Sequence, residues 1–422
     1  MVVHIKPSAV SGRVLIPASK SHTIRALLIA SMAQGESSII NPLVSDDTLS
    51  CIAVCRAFGA SVAMEEGVWS VSGTGGRIAE VREPVDVGNS GTTLYLAASL
   101  AALGEYPINF TGDRQIQKRP IEPLLQSLRD LGAQAHSKLG NGCAPFSVCG
   151  PLHGGKTSIE CPTSQYLSSL LIASPLADGN TEIEVPLLRE KPYVEMTLRW
   201  LDEQFIMYEN SDFRRFFLPG GQRYHHFSKQ VPGDFSSATF FFCAAAITGG
   251  SITVEGCDMN DTQGDKEVLH MLEQMGCSLR FTGGDITLEG RSLRGATLDL
   301  NGTPDALPAL AAVGSFASGE TRLINVPQAR LKETDRIRVM YEELTALGAD
   351  VEEFPDGMIV RGKRLKGAHL HGHGDHRVVM ALAIAALGAE GETTIDTAEA
   401  ATVTFPGFFE KLSSCGARVS FD

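Results

Sequence analysis

The sequence predicts an α/β protein of two similar domains, each built from three repeats of about 70 residues, with buried parallel helices and outer mixed sheets. Three observations predict it. A small polar cap followed by an apolar helix recurs with anchors at positions 20, 90, 164, 235, 305 and 375, which are 70 to 74 residues apart. A helix end closed by glycine, then a strand, recurs at Gly59, Gly132, Gly276, Gly348 and Gly416, while the third copy, Glu203-Gln204-Phe205-Ile206, lacks the glycine. The first helix of each repeat is apolar nearly all round, as in Phe240-Phe241-Phe242-Cys243-Ala244, and such a helix must be buried. Strands such as Thr181-Glu182-Ile183-Glu184-Val185 alternate instead, leaving one sheet face wet.

Six repeats divide as three plus three. The fourth opens at Val231-Pro232-Gly233-Asp234, so one domain is expected over 19–232 and the other over 1–18 plus 233–422. The crossings near Ala18 and Pro232 would form a hinge beside a cleft. The strand in Met1–Pro7 precedes the first repeat and is expected to pair with the last.

In chain order, Val14-Leu15-Ile16 reads as a strand stopped by Pro17. Ser19 or Ser21 then caps a helix that carries Lys20 and Arg25 in its first turns and continues through Ala26–Ala33. Cys51 and Cys55, one turn apart beside Ile52 and Val54, belong to the core face of the next helix. The second repeat starts at Gly88-Asn89-Ser90-Gly91-Thr92-Thr93, where Gly91 admits close approach of a ligand or eases a turn. Arg119, in Lys118-Arg119-Pro120-Ile121, precedes another helix, and the third repeat starts at Pro162-Thr163-Ser164-Gln165. Later starts are Gly233-Asp234-Phe235-Ser236, Thr303-Pro304-Asp305-Ala306 and Gly374-Asp375-His376-Arg377. Asp305 reads locally as a cap. Lys332-Glu333-Thr334-Asp335-Arg336 leads into an amphipathic helix marked by Ile337, Met340 and Leu344. Each of these, alone, is also what an ordinary capped or salt-bridged helix start looks like. Their recurrence changes the reading: backbone N–H groups and positive helix ends converging from several repeats make an anion-attracting site.

Bulk properties agree. The 422-residue chain has a net charge of −13, 43% hydrophobic and 20% charged residues. That charge argues against nonspecific nucleic-acid binding and leaves room for a small anionic substrate in a local basic pocket. Nine scattered cysteines with no Cys-x-x-Cys pair predict reduced thiols in the cytoplasm. The N-terminus reads as a strand, not a signal peptide, and no apolar run reaches the roughly 18 residues of a membrane span. No dinucleotide fingerprint follows a strand. His369, His371 and His373 alternate, but a metal site there would need a carboxylate or cysteine partner that the sequence does not place.

At Lys20-Ser21, Gly88-Asn89-Ser90-Gly91-Thr92, Arg119-Pro120-Ile121, Thr163-Ser164-Gln165, Pro304-Asp305, Lys332-Glu333-Thr334-Asp335-Arg336 and Asp375-His376-Arg377, the sequence resembles the 5-enolpyruvylshikimate-3-phosphate synthase family. The resemblance runs through essentially the whole chain, in order. It implies the enolpyruvyl transferase fold and a place in the shikimate pathway of aromatic amino-acid biosynthesis. The implied reaction moves the carboxyvinyl group of phosphoenolpyruvate to the 5-hydroxyl of shikimate 3-phosphate, by addition and elimination through a tetrahedral intermediate, releasing phosphate. It implies no metal, no cofactor and a monomer. Carried over, Lys20, Ser21, Arg25, Thr163, Ser164, Gln165, Tyr193, Asp305, Gln328 and Lys332 would hold shikimate 3-phosphate. Lys20, Gly91, Arg119, Gln165, Arg336 and Arg377 would hold phosphoenolpyruvate. Asp305 would be the base for the 5-hydroxyl, with Glu333 and Lys20 in the acid/base set at the methylene carbon.

Three positions depart from the family pattern. Tyr95 stands where an arginine is usual, Val403 where many members have lysine, and Glu190 where serine is common. Each removes a cation or hydroxyl near the substrates, which bears on phosphoenolpyruvate affinity and on the response to its mimic glyphosate. Two rival readings are the sister enzyme acting on UDP-N-acetylglucosamine and a noncatalytic binding protein. The first commonly has a cysteine before its Arg-Pro, and none occurs in Asp113–Arg119; the second is opposed by the intact Lys20, Asp305, Glu333, Arg336 and Arg377.

Overall fold

A computed structural model describes residues 1–422. The chain divides into two compact units, Ala18–Val231 on one side and Met1–Pro17 with Pro232–Asp422 on the other. Each has its own hydrophobic core.

The unit Ala18–Val231 contains α1 (Lys20–Met32), α2 (Asp46–Ala57), α3 (Gly91–Ala101), α4 (Glu122–Asp130), α5 (Ser164–Ala173) and α6 (Lys191–Glu203). Helices α1, α3 and α5 are buried along almost their whole length, as their unbroken apolar sequences require. Helix α4 is amphipathic and buries only Leu124, Leu125, Ser127 and Leu128. Three four-stranded sheets complete the unit, each with one parallel and two antiparallel pairings. In the first sheet, Glu36–Ile40 takes its parallel neighbour from Ser228–Gln230 at the far end of the unit. The three repeats are thereby closed on themselves.

The second unit contains α7 (Phe235–Thr248), α8 (Glu267–Gln274), α9 (Leu307–Gly314), α10 (Arg336–Ala346), α11 (His376–Gly388) and α12 (Phe408–Ser414). Its three sheets repeat the same pairing pattern. The N-terminal strand Val3–Lys6 lies antiparallel between Thr393–Ile395 and Arg418–Phe421, so it does pair with the last repeat. Strand Ser11–Leu15 runs parallel to Ser251–Glu255.

The recurrent caps are real. Side chains of Ser19, Ser90, Thr163, Asp234 and Asp375 each accept a hydrogen bond from a first-turn N–H of α1, α3, α5, α7 and α11. For α1 the cap is Ser19, not Ser21. The fifth repeat corrects the local reading of Asp305. It lies inside a 3₁₀ turn, Pro304–Ala306, that leads into α9, and caps nothing. In the third repeat, where glycine is missing, Phe205 takes the left-handed conformation (φ 56°) with its ring 86% exposed. Cys51 and Cys55 are buried in the core. No helix is long and apolar enough to cross a membrane.

Candidate active site

Every residue singled out at the repeat starts falls at or beside the N-terminus of an inner helix or of α10, and the two units hold two distinct constellations.

In the second unit, Arg336 is the centre. It is the first residue of α10, and its side chain is only 1% exposed. Its Nε donates to Asp375 Oδ2 at 2.9 Å, one Nη to Asp305 Oδ1 at 2.8 Å, and the other to Glu333 Oε2 at 2.5 Å and Asp375 Oδ1 at 3.1 Å. One guanidinium therefore ties the fifth repeat start to the sixth. Asp375 does double duty: it caps α11 by accepting from the Arg377 N–H at 2.9 Å and also accepts from Thr334 Oγ1 at 3.0 Å. Asp305 is further flanked by Arg377 (3.3 Å) and by the Lys332 ammonium (3.7 Å).

This arrangement determines the charges. Burial pushes the Asp305 carboxyl up, but Arg377, Lys332 and Arg336 together outweigh it and hold the group well below the usual carboxylate range. For Asp375 burial likewise acts upward and Arg336 overcomes it, leaving the pKa lowered. Burial acts against the charge on Arg336 and Arg377; Asp375, Glu333 and Asp305 reverse it for the first, and Asp305 for the second. Asp305, Asp375, Arg336 and Arg377 are thus ionised at neutral pH. Arg377 keeps a buried Nε without a hydrogen-bond acceptor in the chain, and Gln328 keeps its Oε1 unsatisfied while its Nε2 donates to the Asn301 carbonyl at 3.1 Å.

In the unit Ala18–Val231, Lys20 opens α1 and its Nζ lies 3.0 Å from Asp47 Oδ2, on the first turn of α2. Asp47 was not singled out from the sequence; its position in the capped start Ser45-Asp46-Asp47 was the available signal. Arg25 is buried one turn below Ser21 and donates to the Ser21 carbonyl (3.0 Å), Thr197 Oγ1 (2.9 Å) and the Tyr193 carbonyl (3.1 Å). Burial pulls its pKa down to about 10, so it stays a cation at neutral pH. Through these bonds it fixes the start of α1 to the first turn of α6.

Gly91, the first residue of α3, lies against Arg119. A Cβ built on Gly91 would stand 2.0 Å from an Arg119 Nη, so glycine is required here by close approach. Gln165 Nε2 donates to Thr92 Oγ1 at 2.9 Å, joining the α5 start to the α3 start. The departure at Tyr95 has a structural use: its hydroxyl and that of Tyr166 both donate to the Pro120 carbonyl, at 3.0 and 2.6 Å, bracing the turn that carries Arg119. Thr163 and Ser164 stand together at the α5 start and both donate to Glu190. Val403 ends a 3₁₀ turn, Ala398–Val403. The histidines 371 and 373 are bonded to Asp396 and Glu343, carboxylates the sequence did not place.

Residues 5–412 match a family profile described as EPSP synthase (3-phosphoshikimate 1-carboxyvinyltransferase). The chain is 54% identical over 420 residues to the 3-phosphoshikimate 1-carboxyvinyltransferase of Acetivibrio thermocellus, covering 100% of this chain and 99% of the relative. It is 49% identical to that of Ruminiclostridium cellulolyticum (99% of each chain) and 43% to that of Methanocella arvoryzae (99% of this chain, 100% of the relative). An EPSP synthase structure from Acinetobacter baumannii superposes with a TM-score of 0.82 at 29% identity, covering 100% of both chains. Matched from end to end in sequence and in structure, this chain belongs to the EPSP synthase (3-phosphoshikimate 1-carboxyvinyltransferase) family.

Proposed function

We propose that this protein transfers the carboxyvinyl group of phosphoenolpyruvate to the 5-hydroxyl of shikimate 3-phosphate, and that the two constellations divide the work. Lys20, Ser21, Arg25, Thr163, Ser164, Gln165 and Tyr193 serve shikimate 3-phosphate, with Arg25 acting from beneath Ser21. Asp305, Gln328 and Lys332 meet its ring. Lys20, Gly91, Arg119, Gln165, Arg336 and Arg377 serve phosphoenolpyruvate. Arginine forks match carboxylate and phosphate oxygens, and the substrates carry both.

The observation that carries the reading is the Asp305 carboxylate held ionised among Arg336, Arg377 and Lys332. In the addition step, the 5-hydroxyl oxygen bonds to C2 of phosphoenolpyruvate and loses its proton to Asp305, while C3 gains a proton. In the elimination step, C3 gives a proton back and the C2–O bond to phosphate breaks, leaving the enol ether. Lys20, paired with Asp47, is suited to donate a proton. Glu333, paired with Arg336, is suited to receive one. Cations that depress Asp305 also make it a weak base, so positioning must supply much of the acceleration. The same cations neutralise reactants that would otherwise repel one another.

The test is phosphate release from phosphoenolpyruvate with and without shikimate 3-phosphate. Release that depends on shikimate 3-phosphate is expected. Release without it, or none with it, would overturn the assignment.

A further inference from the structure

We propose that Glu190 is a resident anion in the seat assigned above to the phosphate of shikimate 3-phosphate, and that it limits how strongly the protein selects a phosphorylated acceptor. The inference rests on the reading of Thr163 and Ser164 as phosphate donors. Glu190 precedes α6 in the left-handed conformation (φ 56°, ψ 41°), and it is only 2% exposed. One of its oxygens, Oε2, accepts from Thr163 Oγ1 at 3.2 Å, from the Ser164 N–H at 3.1 Å and from Ser164 Oγ at 2.8 Å. Three donors converging on one anionic oxygen at the start of a helix is how a phosphate oxygen is held.

Those three hydrogens cannot serve two anions at once, and a phosphate brought beside a carboxylate in a water-poor pocket is repelled by it. Phosphate binding therefore requires the Glu190 side chain to leave, and the affinity measured is what remains after that displacement. An acceptor without phosphate does not compete for these donors. The preference for shikimate 3-phosphate over shikimate is thus smaller than the same donors would give beside a neutral residue. The left-handed backbone supports this placement: a non-glycine residue there is strained, and the three bonds to its side chain hold it in place.

The experiment is calorimetric titration of the full chain with shikimate 3-phosphate and, separately, with shikimate. Glu190→Gln keeps the length of the side chain and one acceptor oxygen but not the charge; Glu190→Ser removes both the length and the charge. In each variant the ratio of the shikimate Kd to the shikimate 3-phosphate Kd should rise by about 10-fold or more, with the shikimate Kd itself nearly constant. A residue of purely structural importance would move both constants together. An unchanged or smaller ratio in Glu190→Gln would overturn the inference. Ser164→Ala, made beside Glu190→Ser so that no resident carboxylate shares the lost donor, separates the two levels of the reading. Relative to Glu190→Ser alone, it should weaken shikimate 3-phosphate binding by about 10-fold. If it does not, the phosphate seat is wrongly placed and the role of Glu190 falls with it. If it does, and the Glu190 variants leave the ratio unmoved, only the role of Glu190 falls.

Discussion

Gly91→Ala should damage function while sparing stability, and the structure sets the size of the effect. The new methyl carbon would stand 2.0 Å from an Arg119 Nη, whereas ordinary contact begins at 3.4 Å. The backbone of α3 is packed on all sides, so the guanidinium must retreat, by about 1 Å or more. A displacement of that size breaks a two-point contact between guanidinium and carboxylate or phosphate, which is worth about 1.5–3 kcal/mol. The KM for phosphoenolpyruvate should therefore rise by about 10- to 100-fold. Gly91 has no positive φ, so alanine adds no backbone strain, and stability should change by less than about 1 kcal/mol. Steady-state kinetics at saturating shikimate 3-phosphate gives the first number and urea unfolding the second. A KM within about 2-fold of the parent would refute the placement of Arg119 as a phosphoenolpyruvate ligand.

Asp305→Asn should leave the fold intact and cut turnover by about 100-fold or more; near-normal turnover would dismiss Asp305 as the base. Lys20→Met should impair both KM and turnover and also strand the buried Asp47, lowering stability; unaltered kinetics would remove Lys20 from the reaction. Asp375→Asn retains an N-cap for α11 but deprives Arg336 of a buried carboxylate. Because Asp305 and Glu333 remain, the expected loss is about 2–3 kcal/mol by urea unfolding, below that of a fully orphaned charge, and no loss would contradict the central place of Arg336. The same pair of proteins gives a pH test. The Asp375 pKa is depressed by folding, so its stabilisation is complete above the ordinary carboxylate pKa of about 4, shrinks below it, and vanishes once pH falls through the lower folded value. The stability gap between parent and Asp375→Asn should accordingly narrow toward acid pH; a gap that widened would reverse the sign of the coupling.

The architecture was legible because it repeats. Five glycines at helix ends take φ between 92° and 107°, and the same small polar residues cap the inner helices, so period and physics coincide. What the sequence could not show were side-chain partners brought together by the fold. Lys20 meets Asp47 only because α1 and α2 pack together, and nothing in the spacing between them encodes that contact. Asp305 looked like a helix cap because it follows a proline at a helix start. It is instead held by Arg336, at the start of α10, and by Arg377, at the sixth repeat start. The departures were visible as departures, but their uses were not. Tyr95 braces the carbonyl of Pro120, and Glu190 occupies donors at the start of α5, 26 residues earlier in the chain, contacts that only the fold brings together.

The strand Val3–Lys6 completes a sheet whose other members, His369–Leu370, Thr393–Ile395 and Arg418–Phe421, lie far later in the chain. During translation this strand must wait, unpaired, through roughly 390 residues of elongation, which at about 5–20 residues per second lasts some tens of seconds. Ala18–Val231 can meanwhile close on itself, since its own last strand finishes its first sheet. A bulky fusion at the amino terminus would therefore obstruct the final step of maturation, while leaving the earlier-made unit able to form.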